Sequence, residues 1–208
     1  MKLHGTPLSH FTSKIRILLA ELDVPFEMSW APGVLASGAR DYADNPLLRV
    51  PTLVDGDELL IESDHIARYV VARCNPEDRL GVRNELPRDL NRLAVVNGIM
   101  ANEVVLILAK RGGLSEIESV AYFRKLLSAI AGGLEWLDAA VDEDPRFDYR
   151  DVALICMWQH LAHYKLVSLE PYARIAARVA RFEDRPSIVA TTPEASLAAA
   201  KAAGWTPS

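Results

Sequence analysis

The chain reads as a small α/β domain followed by an all-α domain, on three observations. Short strand-like runs alternate with helical patterns from residue 1 to 74. A polar stretch containing Pro76, Gly81 and Pro87 follows. Beyond it the apolar residues recur at helical spacing.

The elements of the first part follow in order. Lys2-Leu3-His4-Gly5 is a short strand closed by Pro7. From Thr12 to Glu21 a helix places Ile15, Leu18, Leu19 and Leu22 on one face and ends before Pro25. Phe26, Met28 and Trp30 alternate with Glu27 and Ser29 as a half-buried strand. A loose Gly-, Ser- and Ala-rich segment then runs to Asn45-Pro46. Thr52-Leu53-Val54 and Glu58 to Ile61 flank Asp55-Gly56-Asp57, a hairpin signal because glycine supplies the positive φ of a tight turn. Glu62-Ser63 opens a helix carrying Ile66, Ala67 and Val70. The first two strands, joined by a helical crossover, should be parallel, and the last two antiparallel.

Residues 75–86 read as a linker and 87–208 as the helical domain. Pro87 suits a first helical position, and that helix should run to Lys110-Arg111 before Gly112-Gly113. Ser115-x-x-Glu118 has the capping-box pattern and should open the next helix, with Val120, Leu127, Ile130, Leu134 and Leu137. Asp148 and Asp151 start a third helix, with Val152, Ile155, Cys156 and Gln159 on one side. Pro171 starts a fourth, through Tyr172, Ile175, Ala176, Val179 and Phe182. The Ala-rich tail from Pro193 forms a last short helix.

The 208 residues, half of them apolar and a quarter charged, can bury a core. A net charge of −5 with scattered arginines argues against a nucleic-acid surface. Met1 to Ala20 is broken by His4, His10, Lys14 and Arg16, unlike a secretory signal. Leu93 to Ala109, the most apolar stretch, is interrupted by Asn97, Asn102 and Glu103, which argues against a membrane span. Cys74 and Cys156 lack metal-ligand spacing; both are expected to be buried, reduced thiols, with no metal site.

Four landmarks, in order and spacing, carry a resemblance that covers nearly the whole chain. They are Gly5-Thr6-Pro7-Leu8-Ser9-His10-Phe11 followed by Lys14-Ile15-Arg16; Asn45-Pro46-Leu47-Leu48-Arg49-Val50-Pro51; Glu62-Ser63-Asp64-His65-Ile66; and Phe147 to Ala153. Together they resemble the glutathione S-transferase family, in its bacterial, serine-type, cytosolic form. They are similar to its Ser-Pro-Phe opening, its Asn-Pro-x-Gly-Lys-Val-Pro segment, its Glu-Ser-x-x-Ile turn and the cap of its buried sixth helix, where the family usually has Ser or Thr in place of Asp148. Arg185-Pro186-Ser187 with Ala190-Thr191 resembles endings of bacterial members.

The resemblance implies that residues 1–74 are a thioredoxin-like domain binding glutathione as co-substrate. It implies a cytoplasmic homodimer that conjugates the glutathione thiolate to small electrophilic, hydrophobic compounds in detoxification. A free thiol of pKa near 8.5 is only about 3% ionised at pH 7. Lowering that pKa by two units takes about 2.7 kcal/mol. Ser9, just before the first helix, is the implied activating hydroxyl; read alone such a serine is more often a loop or helix N-cap residue, and Thr12 is the fallback donor. Pro51 is implied to be cis, exposing the Val50 backbone groups to the cysteinyl amide; by itself Val50-Pro51 reads as an ordinary turn. Ser63 is implied to hold the γ-glutamyl carboxylate with help from Glu62, a role compatible with a simple helix start. Arg49, where the family has lysine, is implied to pair with the glycyl end.

Some residues stay outside the site or depart from the pattern. Asp148 and Asp151 are structural caps, and His160 and His163 are packing or surface residues. Met100 and Val104 lie on the helix expected to face the second substrate. His4 and Thr6 argue against tyrosine activation, and the lack of cysteine at 9 and 12 argues against a sulfur nucleophile. Leu48 stands where the family has glycine, so the loop before Arg49 should be shaped differently. Two other readings remain: a glutathione-dependent isomerase of maleyl compounds, and a non-catalytic binding protein of the same fold.

Overall fold

The computed structural model describes residues 1–141 and 144–206. Four strands, β1 (Lys2–Gly5), β2 (Glu27–Trp30), β3 (Thr52–Asp55) and β4 (Glu58–Ile61), form one mixed sheet in the order β2-β1-β3-β4. β1 and β2 are parallel, as their crossover through α1 (His10–Glu21) requires. β1–β3 and β3–β4 are antiparallel. Gly56, at φ 62°, makes the tight turn between β3 and β4. Leu3 and Leu53 are wholly buried in the centre of the sheet. Ile15, Leu18 and Leu19 of α1, with Ile66, Ala67 and Val70 of α2 (Ser63–Cys74), are fully buried at the helical spacing read from the sequence, and α1 packs on α2.

The remaining helices are α3 (Pro87–Arg111), α4 (Ala121–Ala140), α5 (Tyr149–Tyr164), α6 (Ala173–Ala180), α7 (Pro186–Val189) and α8 (Pro193–Ala202). Several details differ from the sequence reading. Ser115-x-x-Glu118 does not cap a helix: a 3₁₀ turn spans Ile117–Ser119, and α4 starts at Ala121 after an uncapped Val120. α6 begins two residues after Pro171. Cys74, expected to be buried, is exposed at the end of α2, whereas Cys156 is buried. An unforeseen 3₁₀ turn covers Ala39–Tyr42.

The chain divides into two compact units, Met1–Arg83 with Asp184–Ser208, and Asn84–Glu183. The division differs from the 87–208 boundary, because the last segment belongs with the sheet. Long-range polar ties hold it there. Arg185 Nε donates to Glu21 Oε1 at 3.0 Å, and Ser187 donates to the same carboxylate. Arg16 Nη1 donates to Ser196 Oγ at 2.6 Å, and Trp205 Nε1 to the Ala31 carbonyl at 2.7 Å. Burial opposes ionisation of Glu21, but the hydrogen bonds from Arg185 and Ser187 hold its carboxyl below the ordinary range.

In the second unit α3 packs against α4 and α5, and α6 against α4 and α5. Among the described residues α3 is the one helix long and apolar enough, by length and composition, to cross a membrane. Asp148 caps α5 and forms a capping box with Asp151, as the sequence predicts. Asp151 is also clamped by Arg178 of α6, with Nε–Oδ1 2.7 Å and Nη2–Oδ2 2.8 Å, and both side chains are buried. On α3, Glu103 is fully buried, with its Oε1 2.7 Å from His160 Nδ1 on α5. Burial pushes the Glu103 carboxyl up, against the pull of His160.

Two outcomes are expected. Arg178→Met should lower the free energy of urea unfolding by about 3–5 kcal/mol, because it strands a buried carboxylate. The Glu103 carboxyl titrates higher in the folded chain than in the unfolded one. Its contribution to stability is therefore complete below the unfolded carboxyl value of about 4.3 and is lost as pH rises through the folded value. Glu103→Gln should flatten this dependence. Thermal unfolding of both proteins between pH 4 and 8 should show the variant gaining on the native chain as pH increases.

Candidate functional site

The strand register places the candidate residues. Thr52, the first residue of β3, pairs with His4 on one side and Ile61 on the other. The chain therefore leaves β1 toward α1, enters β3 through Val50-Pro51, and leaves β4 into Glu62-Ser63, all at one end of the sheet. Ser9, the segment from Arg49 to Pro51, and Glu62 with Ser63 all follow or precede strands at this end.

Ser9 is the N-cap of α1 and accepts a hydrogen bond from the Thr12 amide at 3.1 Å. Cap and activator are compatible roles. Capping uses a lone pair of the hydroxyl, and no acceptor for its proton occurs among the described residues. Thr12, the fallback, is only 1% exposed. Its side chain lies against Gly5, where an added Cβ would come within 2.2 Å of the Thr12 methyl. Gly5 thus lets α1 close onto the strand, and the half-buried Ser9 is the accessible hydroxyl of the two.

The Val50-Pro51 bond is cis, as the resemblance implies. Asn45 holds the segment before it. This buried side chain donates to the Arg49 carbonyl at 2.9 Å and to Thr52 Oγ1 at 3.1 Å, and accepts from the Leu47 amide at 2.9 Å. Tyr42, also buried, donates to the carbonyls of Gly33 and Ala36. Leu48 adopts φ 51°, the left-handed conformation that glycine favours. The loop thus makes a glycine-type turn without the glycine. The strain costs about 1–2 kcal/mol. The Arg49 side chain is exposed.

Glu62 is the N-cap of α2 at φ 68°, without a side-chain capping bond, and its side chain is exposed. Leu48 and Glu62 place two strained non-glycine residues around one end of the sheet, a pattern that recurs at ligand sites. Ser63, in the first turn of α2, is 5% exposed. The amides of that turn have no intrahelical acceptor and favour a carboxylate.

Sequence reasoning missed Lys14, Asp64 and the role of Asn45. The Lys14 ammonium is wholly buried, 3.2 Å from Ser63 Oγ and 2.7 Å from Asp64 Oδ1. Periodicity held the signal, since Lys14 lies on the stripe with Leu18 and Leu22. In the second unit, Met100 is fully buried and Val104 partly so.

Residues 3–77 match the family model for the glutathione S-transferase N-terminal domain. Glutathione S-transferase 3 of Zea mays is 39% identical over 81 residues, covering 37% of this chain and 36% of the maize protein. The chain thus matches about a third of the length of the curated relatives. A glutathione S-transferase from Methylobacillus flagellatus KT, solved with glutathione bound, superposes with a TM-score of 0.78 at 25% identity, covering 92% of this chain and 98% of that one. A glutathione transferase family member from Pseudomonas fluorescens Pf-5, also with bound glutathione, gives 0.79 at 23% identity over 92% and 98%. A thioredoxin-like domain followed by a helical part is the architecture shared with these structures.

Asn45→Ala removes the link between the loop and β3. It should cost about 1–3 kcal/mol of stability and speed hydrogen exchange at the Leu47 amide, measured by urea unfolding and exchange mass spectrometry.

Proposed function

We propose that the chain is a cytoplasmic, homodimeric glutathione transferase that adds the glutathione thiolate to small electrophilic, hydrophobic compounds. The observation that carries this reading is the gathering of Ser9, the cis Val50-Pro51 segment and the α2 start at one end of the sheet, with the Ser9 proton unspent. The glutathione-bound transferases of the same fold support it.

Val50 offers its backbone groups to the cysteinyl amide in the manner of an added strand. Ser63 and the first α2 amides receive the γ-glutamyl carboxylate, with Glu62 beside it, and Arg49 meets the glycyl carboxylate. The thiol then lies by Ser9. A hydroxyl donating to the thiolate supplies about 1.5–3 kcal/mol, and the N-terminus of α1 adds roughly 0.3–1 kcal/mol. Their sum spans the 2.7 kcal/mol needed for two units. The thiolate attacks the electrophilic carbon, and a leaving group departs with its electron pair, or an activated double bond takes up the pair and a proton from water.

Ser9→Ala should raise the pKa of bound glutathione by about 1–2 units, seen in the pH dependence of thiolate ultraviolet absorbance. Conjugation of chlorodinitrobenzene at neutral pH should fall in parallel while glutathione binding persists. Ser9→Gly retains most of the capping free energy and should lose activity equally, which separates activation from helix capping. A native protein that binds glutathione but turns over no electrophile would be a binding protein, and turnover of maleyl compounds alone would make it an isomerase.

A further inference from the structure

The buried Lys14 ammonium has no part in the mechanism above, although it touches a residue of the proposed glutathione site. Its side chain is 0% exposed, and Nζ donates to Ser63 Oγ at 3.2 Å and to Asp64 Oδ1 at 2.7 Å, with the Phe11 ring centre 5.7 Å away. Burying an ammonium is expensive, and a methionine would fill similar space without that cost. What the lysine does there follows from hydroxyl chemistry. Ser63 Oγ carries one proton and accepts from an ammonium that has only donors to offer. The Ser63 proton must therefore turn away from Lys14, and no acceptor for it occurs among the described residues. Ser63 is itself 5% exposed, so this is a nearly buried donor whose direction is dictated from behind.

We propose that Lys14 is a positioning residue for carboxylate recognition at the start of α2: it fixes Ser63 Oγ as its acceptor and so directs the Ser63 hydroxyl proton, together with the first α2 amides, at the γ-glutamyl carboxylate of glutathione. This rests on the glutathione site described under the proposed function. Orientation, rather than attraction, is the role the geometry assigns. Asp64, 35% exposed, balances the lysine charge at 2.7 Å, so an arriving anion meets a compensated pair. Lys14 reaches the carboxylate only through Ser63.

The test is glutathione titration calorimetry with steady-state kinetics on the native chain, Lys14→Met, Ser63→Ala and the double variant. Lys14→Met should weaken glutathione binding about tenfold or more. The loss should fall on KM for glutathione rather than kcat, and the pKa of the bound thiol should not follow it, unlike Ser9→Ala. Once Ser63 is alanine there is no hydroxyl to direct, so the double variant should bind no more weakly than Ser63→Ala. Unchanged affinity in Lys14→Met, or losses that add in the double variant, would overturn the proposal. A native chain that does not bind glutathione removes the underlying site and the proposal together, whereas native binding with an indifferent Lys14→Met removes the proposal alone. A structure of the native chain with glutathione tests the same point independently of how the variants fold. Ser63 Oγ should bridge Lys14 and the γ-glutamyl carboxylate; a Lys14 that leaves Ser63 to bind the carboxylate itself would refute a positioning role.

Discussion

The double pairing of Thr52 is the constraint on which the candidate site depends. A residue paired in register with His4 and with Ile61 fixes three chain segments at once. Slipping the β3 register by one residue would turn its side chains to the opposite faces. It would also carry Val50-Pro51 out of line with the ends of β1 and β4. Thr52 is wholly buried, and its hydroxyl is tied into the preceding loop through Asn45 and the Arg49 carbonyl. Sheet pairing and loop conformation therefore support each other.

Around that point the first unit spends polar contacts on position. Asn45 and Tyr42 hold the irregular segment between β2 and β3, where no ladder satisfies the backbone. Lys14 joins α1 to the first turn of α2. Glu21 gathers Arg185 and Ser187 and so brings the last segment onto α1. The second unit uses the same device: Asp151 serves the capping box and the Arg178 clamp together, so one side chain both starts α5 and joins it to α6. Lys14 and Asp151 are buried charges whose partners come from other elements, and removing such a partner would leave the charge exposed to the cost of desolvation.

Much of the site was legible because its residues sit in compact local patterns. Ser9 precedes an apolar stripe, Val50-Pro51 precedes a strand, and Glu62-Ser63 precedes a helix. Lys14 was equally visible as a letter but not as a contact, since its partners lie 49 and 50 residues away. Asn45 read as the start of a turn, whereas its grip on Arg49 and Thr52 depends on how the loop folds back. Ser115 and Glu118 show the opposite case. They satisfy a local capping pattern, yet α4 takes its start elsewhere.

By itself the sequence determined the order of strands and helices, the parallel and antiparallel pairings, the Gly56 turn and the Asp148 cap. Each of these rests on interactions within a few residues or on the period of apolar side chains. Only the tertiary structure decided that Asp184–Ser208 joins the sheet-containing unit, that Thr12 is sealed against Gly5 while Ser9 remains accessible, and that Cys74 is exposed. Those outcomes depend on which surfaces meet, and contacts between residues distant in the chain leave no periodic trace in it.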